Sequence, residues 1–337
     1  MRLPIIAAAV LSCFALLTQS VATAEQRTTS KTFYVDPSGD NENPGTRREP
    51  WQSIQFACLQ LSPGDTLKVA NKEFPAEGNI LVRFVDPETY EYLPLEGTSQ
   101  NTTRIVSYGR GRMSPRVHGK FDIRGSHIQI HGLEIIGSDS DPLPGVGVYQ
   151  SHHISISDCS IHNHGGGGIN FNHSDCVTAS YNRVFQNAKL NPDQHSGISS
   201  YQPIVRSDDS AYYGVILNNN VCYHNENLIP APWSGEISDG NGIAIDDHRY
   251  TQLNQTVTDA IKGTSNPALS SGQPIVQVDD DGQPLPYSRH TLVMRNQCLS
   301  NGGRGIHLFQ SDHIDVVLNF ASRNLQSPVF SDGLPRD

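Results

Sequence analysis

Short alternating apolar runs, each closed by a polar corner, recur through the second half of this chain. The runs are Ile154-Ser-Ile156, Val177-Thr-Ala179, Val215-Ile-Leu217, Leu292-Val-Met294 and Ile314-Asp-Val316. Each is followed by a polar residue and, five positions on, by an asparagine: Asp158/Asn163, Asn182/Asn187, Asn220/Asn225, Asn296/Asn301 and Asn319/Asn324. After four of these pairs comes a Gly-Ile step, at Gly168-Ile169, Gly197-Ile198, Gly242-Ile243 and Gly305-Ile306. Where nothing intervenes, the copies return every 23 or 24 residues (Asn163 to Asn187, Asn301 to Asn324). A weaker copy, with glycine in place of asparagine, runs through Ile128-Gln-Ile130, Gly132, Gly137 and Gly147-Val148. Self-similarity at this period marks a solenoid.

Runs of three to five residues with period two form strands that bury alternate side chains. Asparagine suits the corners, because it tolerates left-handed backbone and can bond its own backbone. Equivalent asparagines lie above one another in a stacked coil and bond along the stack, satisfying buried corner amides. A leucine-rich repeat would need several leucines per copy and a helical return, and these copies have neither. The pattern therefore predicts an all-β fold, a single-stranded parallel β-helix. Near the start, Lys31–Val35 reads as a strand and Trp51, Ile54, Ala57, Cys58 and Leu61 recur at helical spacing. That helix is expected to cap the first coil before Thr66–Val69 returns to strand. Residues 75–120 read as irregular early coils with long loops. Insertions near 189–213 and 249–289 interrupt the repeat within a single domain spanning 25–337.

Residues 1–24 have the form of a secretory signal: Arg2, an apolar run from Leu3 to Leu17, then Ala22-Thr23-Ala24. A secreted or periplasmic location follows, and no later segment could span a membrane. Cleavage leaves five cysteines, an odd number. Cys222 and Cys298 fall in a column where Val184 and Ala321 stand in other copies, so stacked buried thiols are expected rather than a bridge. No Cys or His spacing matches a zinc site. The formal net charge is −10, which argues against nucleic acid as a partner.

The stretch Phe33-Tyr-Val-Asp-Pro-Ser-Gly-Asp40, with Asn43-Pro-Gly45, Pro50-Trp-Gln-Ser-Ile54 and Pro63-Gly-Asp65, resembles the N-terminal signature of secreted pectate-lyase-like proteins. Asp239-Gly-Asn-Gly-Ile243 and Gly302-Gly-Arg-Gly-Ile306 are similar to coil phrases of the same superfamily, nearest to family-9 polysaccharide lyases. The resemblance covers roughly residues 32–326. It implies a right-handed helix and β-elimination in a uronic-acid-containing polysaccharide, often assisted by calcium. One position departs from it. The family's catalytic lysine would fall at Ala244, so that base does not carry over.

Aligning the Gly-Ile steps sends Ile169, Ile198, Ile243 and Ile306 inward and Asn170, Ser199, Ala244 and His307 outward. Asn172, Tyr201, Asp246 and Phe309 form the next outward column, and Asp247 follows at the turn. Loops entering these strands bring His195, Asp239 and Arg304. β-Elimination needs a neutralised uronate carboxylate, a base for the C5 proton and an acid for the leaving oxygen. Asp239, Asp246 and Asp247 are the candidate Ca²⁺ ligands, and Arg304 is the candidate carboxylate clamp. His307 or His195 is the candidate base, and Tyr201 the acid. The expected partner is an acidic polysaccharide, and the chain is expected to be a monomer. Two other functions fit the same pattern: an inverting glycosidase using Asp246 or Asp247 with Asp239, and a non-catalytic carbohydrate-binding solenoid.

Overall fold

A computed structural model of the chain describes residues 29–85, 92–109, 114–138, 140–207, 209–261 and 276–331. The signal-like segment 1–24 and Asp208 of the first insertion lie outside the described residues. Each full coil contributes three short strands, and every strand pairs in parallel with its counterpart in the next coil. The first face stacks Gly125–His131, His152–Ser157, Asp175–Ser180, Tyr213–Asn218, His290–Met294 and Ile314–Val317. The second stacks Glu134–Ile136, Ser160–His162, Arg183–Phe185, Val221–Tyr223, Gln297–Leu299 and Phe320–Ser322. The third stacks Val146–Tyr149, Ile169–Asn172, Ile198–Tyr201, Ile243–Asp246 and Ile306–Phe309. This is a right-handed parallel β-helix; the repeat predicts the parallel coil, and the resemblance its hand.

Alternation fills the interior with ladders of apolar side chains. Ile156, Ala179, Leu217 and Val293 form one buried column, and Ile169, Ile198 and Ile243 another. Each buried aliphatic side chain contributes roughly 1.5–3 kcal/mol. Val184, Cys222 and Cys298 continue a third, in the same register as Ala321. The two thiols are buried and unbridged. Their hydrogen bond and burial push Cys222 well above the ordinary thiol range.

Asparagine ladders hold the two corners of the coil. At the first, Asn182 Nδ2 donates to Asn220 Oδ1, Asn220 to Asn296 and Asn296 to Asn319, each at 3.0 Å. At the second, Asn187, Asn225, Asn301 and Asn324 repeat the chain at 3.1, 3.0 and 2.9 Å. The pairing of Asp158 and Asn163 with these columns is one residue out of step. Backbone N–H groups of Cys159 and His164 donate to Asn182 and Asn187, so those two residues head the ladders. The uninterrupted repeat is then 23 residues at both ends of the series. Left-handed backbone falls on the residue before each ladder asparagine, at Tyr181 (φ 57), Asn219 (φ 56), Arg295 (φ 55) and Leu318 (φ 55). The asparagines are there for their amides, not for backbone freedom. Against the second ladder the chain needs glycine: a Cβ on Gly197 would lie 2.6 Å from Asn225 Nδ2.

At the N-terminal end the helix Ile54–Gln60 covers the first coil with Ile54, Ala57 and Cys58. Ser53 caps it, accepting from Phe56 N at 3.2 Å. The Glu77 carboxylate accepts from Ser53 Oγ (2.9 Å) and Ile54 N (3.0 Å), where the helix dipole favours an anion. The described residues between 75 and 120 are more regular than the pattern predicts. A long strand, Glu73–Val85, runs parallel to Arg116–Ile123 and joins the stack; Gly78 and Gly119 break its periodicity and hide it from a period-two reading. The far end carries exposed Val316, Leu318 and Phe320. Beyond it the chain folds back, with Ser331 N donating to Ile237 O at 2.8 Å.

The insertions leave the coil at its third face. The strand Ile198–Tyr201 lies inside the first of them and pairs normally on both sides. Parts of the two insertions bury Ile204, Tyr250, Val257, Ala260, Val276 and Tyr287 as a small core of their own. A short helix, Gln255–Ile261, sits in the second.

Candidate functional site

The third face places its outward residues in two columns. Asn170, Ser199, Ala244 and His307 are in register, as are Asn172, Tyr201, Asp246 and Phe309. Tyr149 extends the second column by one coil, and Asp122 with Gly147 extends the first. Successive strands lie about 4.8 Å apart, so both columns form the floor of one groove. Loops close over one side of it, which leaves Asn170 1% exposed although it points away from the solenoid core.

Two of the entering loops are tied together by Asn241. Its Nδ2 donates to Asp239 Oδ1 at 2.6 Å and to Ser196 Oγ at 3.1 Å. Its Oδ1 accepts from Arg304 N at 2.7 Å, across to the next coil. The Asp239 carboxylate is thereby fixed facing His307, whose Nδ1 lies 3.6 Å from Oδ1. A small rotation would make that contact a hydrogen bond. Arg304 donates from Nη1 to Ser238 O at 3.1 Å, and its guanidinium lies 5.1 Å from the Phe330 ring centre. It stands at the groove's edge.

Asp246 and Asp247 are adjacent in sequence and opposite in environment. Asp247 is wholly buried. It accepts from Thr251 N (2.6 Å), Thr251 Oγ1 (2.7 Å), Gln252 N (2.9 Å) and Gln202 Nε2 (2.7 Å). That carboxylate anchors the turn and has little left for a ligand. Asp246 has a buried Oδ1 with no hydrogen-bond partner. Burial, then the charges of Asp239 and Asp247, push its carboxyl up to about 7. Near neutrality it holds a proton about half the time.

Tyr201 occupies the neighbouring coil, its phenol 3.5 Å from Gln252 Oε1. Burial pushes it up to about 12 against the lowering effect of Asn254, with Asp246 and Asp247 adding to the rise. It is a protonated donor at any physiological pH. His195 lies beneath the first column, where its Nδ1 faces Asn170 Nδ2 at 3.0 Å and Gly167 N at 3.3 Å. Both are donors, so Nδ1 is the acceptor and Nε2 carries the hydrogen. Burial pushes this imidazole down to about 4 despite Asp193 and Asp239. His195 is a neutral positioning group rather than a free base. The structure thus gathers Asp239, His307, Asp246 and Tyr201 along the groove, sets Arg304 at its edge and His195 below, and commits Asp247 to the turn.

Calcium needs six to eight oxygens. The three aspartates do not bring their oxygens within 4.8 Å of one another, and Asp247 is already saturated. The residues present do not form a calcium cage.

Tyr149 and Arg124 belong to the same groove. The Arg124 guanidinium lies 4.8 Å from the Tyr149 ring centre and 3.4 Å from Asp122. The weaker repeat carried the signal, since Tyr149 stands two residues beyond Gly147 as Asp246 stands two beyond Ala244.

A family model described as the right handed beta helix region matches residues 118–277. Among curated proteins, the uncharacterized protein YwoF of Bacillus subtilis (strain 168) is 24% identical over 134 residues. That stretch is 38% of this chain and spans 28% of the relative's length. Three solved structures are similar across most of their length. A pectate lyase, Pel9A, is 15% identical with TM-score 0.40, covering 90% of this chain and 82% of that one. An alginate lyase from Paenibacillus sp. str. FPU-7 is 13% identical with TM-score 0.41, covering 85% and 99%. A rhamnogalacturonan lyase is 14% identical with TM-score 0.35, covering 88% and 87%. Among the described residues, no helix is long and apolar enough to cross a membrane.

Proposed function

We propose that this protein is a polysaccharide lyase that cleaves a uronic-acid-containing chain by β-elimination along the third face. The observation that carries the reading is the Asp239–His307 pair beside a carboxyl, Asp246, held near pKa 7. Asp239 orients His307, so that Nε2 removes the C5 proton of the uronate. Electrons of the C5–H bond form the C4=C5 double bond as the C4–O bond breaks. The leaving oxygen takes a proton from Tyr201, which holds one at any physiological pH, or from the protonated fraction of Asp246. Arg304, the cation at the groove's edge, would face the substrate carboxylate, and protonated Asp246 could donate a hydrogen bond to it. From the strand register, His307 lies one coil across and two residues along from Asp246, roughly 8 Å between backbones. One sugar ring fits that gap.

A second reading rests on the same carboxyl. Asp246 as acid and Asp239 as base describe an inverting glycosidase. A panel of uronic-acid polymers separates the two. Elimination creates ultraviolet-absorbing unsaturated ends, whereas hydrolysis creates reducing ends alone. We expect absorbance to rise on at least one uronate polymer and to persist in EDTA. Reducing ends without absorbance would replace the lyase reading by the glycosidase. Binding without either product would leave a carbohydrate-binding solenoid.

A further inference from the structure

On the first face, three histidines meet where the repeat supplies only corners elsewhere. His127 and His153 occupy equivalent positions in successive coils, between paired residues on either side, and Cys176 continues the column. All three have left-handed backbone (φ 54, 55 and 49). A left-handed residue inside a strand breaks the alternation, so His153 turns outward next to outward-facing His152. The rings of His127 and His153 stack with centres 4.3 Å apart, and His152 stands edge-on to both. His152 Nδ1 and His153 Nδ1 face each other at 2.7 Å, and His127 Nδ1 is buried without a hydrogen-bond partner. One ligand nitrogen from each of the three rings lies within 4.8 Å of the other two.

The first insertion completes the cluster. Asp209 Oδ2 accepts from His153 Nε2 at 2.7 Å, which fixes the hydrogen on Nε2 and turns the Nδ1 lone pair toward His152. A carboxylate behind a histidine, orienting its free nitrogen, is the usual support of a metal-binding imidazole. Arg289 in turn holds Asp209, at 2.9 Å from Oδ1, and blocks Cys176, with Nη1 2.6 Å from the sulfur. The donor set is therefore three nitrogens rather than a thiolate.

We propose that His127, His152 and His153 bind a divalent transition-metal ion of the zinc class, with Asp209 as the positioning group for His153. Imidazole nitrogens suit zinc, copper and nickel and not calcium or magnesium. Three protein ligands leave one position for water or an incoming donor. Capture requires the stacked rings to fan apart by a small rotation, which their half-exposed surroundings allow. The site is on a different face from the groove, so it and the elimination chemistry stand or fall separately.

The test uses the full chain without a histidine tag, stripped with chelator and titrated with Co²⁺ and then Zn²⁺. One equivalent of Co²⁺ should give the visible bands of a low-coordinate nitrogen site, displaced by one equivalent of Zn²⁺ and unaffected by excess Ca²⁺. His127→Gln and His152→Gln should each weaken Zn²⁺ binding by at least about tenfold, and Asp209→Asn by about tenfold. Cys176→Ser should leave the affinity unchanged. Metal-free thermal unfolding of every variant shows that it folds. No stoichiometric metal, or affinity indifferent to His127→Gln and His152→Gln, overturns the proposal.

Discussion

The asparagine corners and the groove wall are both polar, both largely sealed from water, and built from the same repeat. They differ in whether their hydrogen-bond capacity is used. In the corners each ladder amide donates to the next asparagine and to a backbone carbonyl: Asn225 Nδ2 reaches Asn301 Oδ1 and Val184 O, both at 3.0 Å. On the groove wall, Asn170 and Asp246 each keep a buried oxygen without a partner. Asp246 and Asp247 compress the contrast into one peptide bond. Buried polar atoms are nearly always paired, and those left over need an explanation. The corners spend their hydrogen-bond capacity on the scaffold, whereas Asn170 and Asp246 on the groove wall keep an oxygen that a substrate could engage.

Breaking the wall should leave the fold intact and remove the chemistry. His307→Gln or Asp239→Asn is expected to lower the elimination rate by about 10³-fold, with the melting temperature unchanged; initial rates and calorimetry decide it. Unfolding of Asp239→Asn would move that carboxylate to the scaffold side. Breaking a corner should do the reverse. Asn225→Ala removes the acceptor of the Asn187 backbone and side-chain amides and the donor to Val184 O, and should cost roughly 2–4 kcal/mol in urea unfolding, while the folded fraction keeps its turnover number.

A subtler contrast is the pH dependence of stability. Asp246 has a native pKa of about 7 against an ordinary 3.8, so the folded chain binds the extra proton between those values. Through this group alone stability falls as pH rises from about 4 to about 7. The buried histidines His152, His164, His173, His195 and His248, pushed below their ordinary 6.5, act in the opposite direction over the same range. Asp246→Asn should raise stability at pH 8 relative to pH 5 compared with the parent chain, read from melts at the two values; an unchanged difference between them would show that Asp246 does not take up the extra proton. Asn170→Ala is expected to have the smallest effect, no more than about 1 kcal/mol, because its side chain makes one bond where Asn225 makes four.

Much of this was legible in the sequence because solenoid strands obey two simple periods. The 23-residue return located the coils, and alternation within them put His307 and Asp246 outward. What escaped the pattern depends on geometry that composition does not encode. Asp247 looks like a partner of Asp246 until the turn at Thr251 and Gln252 folds back onto it. His195 looks like a base until Asn170 and Gly167 occupy its nitrogen. The one-residue slip at Asp158 arose because Cys159 and His164, not asparagines, head the ladders. The histidine cluster was invisible for a sharper reason: left-handed His153 violates the alternation that reveals everything else.

The ladder rungs are blind to the chain between them. Asn296 to Asn319 closes 23 residues, Asn182 to Asn220 closes 38, and Asn220 to Asn296 closes 76, yet each bond is 3.0 Å. In the finished molecule these joints are equivalent; in time they are not. Closing the longest loop carries about 1 kcal/mol more entropy loss than closing the shortest. The solenoid should therefore assemble as two blocks, one on each side of the second insertion, that zip together last. Pulse-labelled hydrogen exchange during refolding should find the amides of Asn220 and Asn225 protected after those of Asn296 and Asn301.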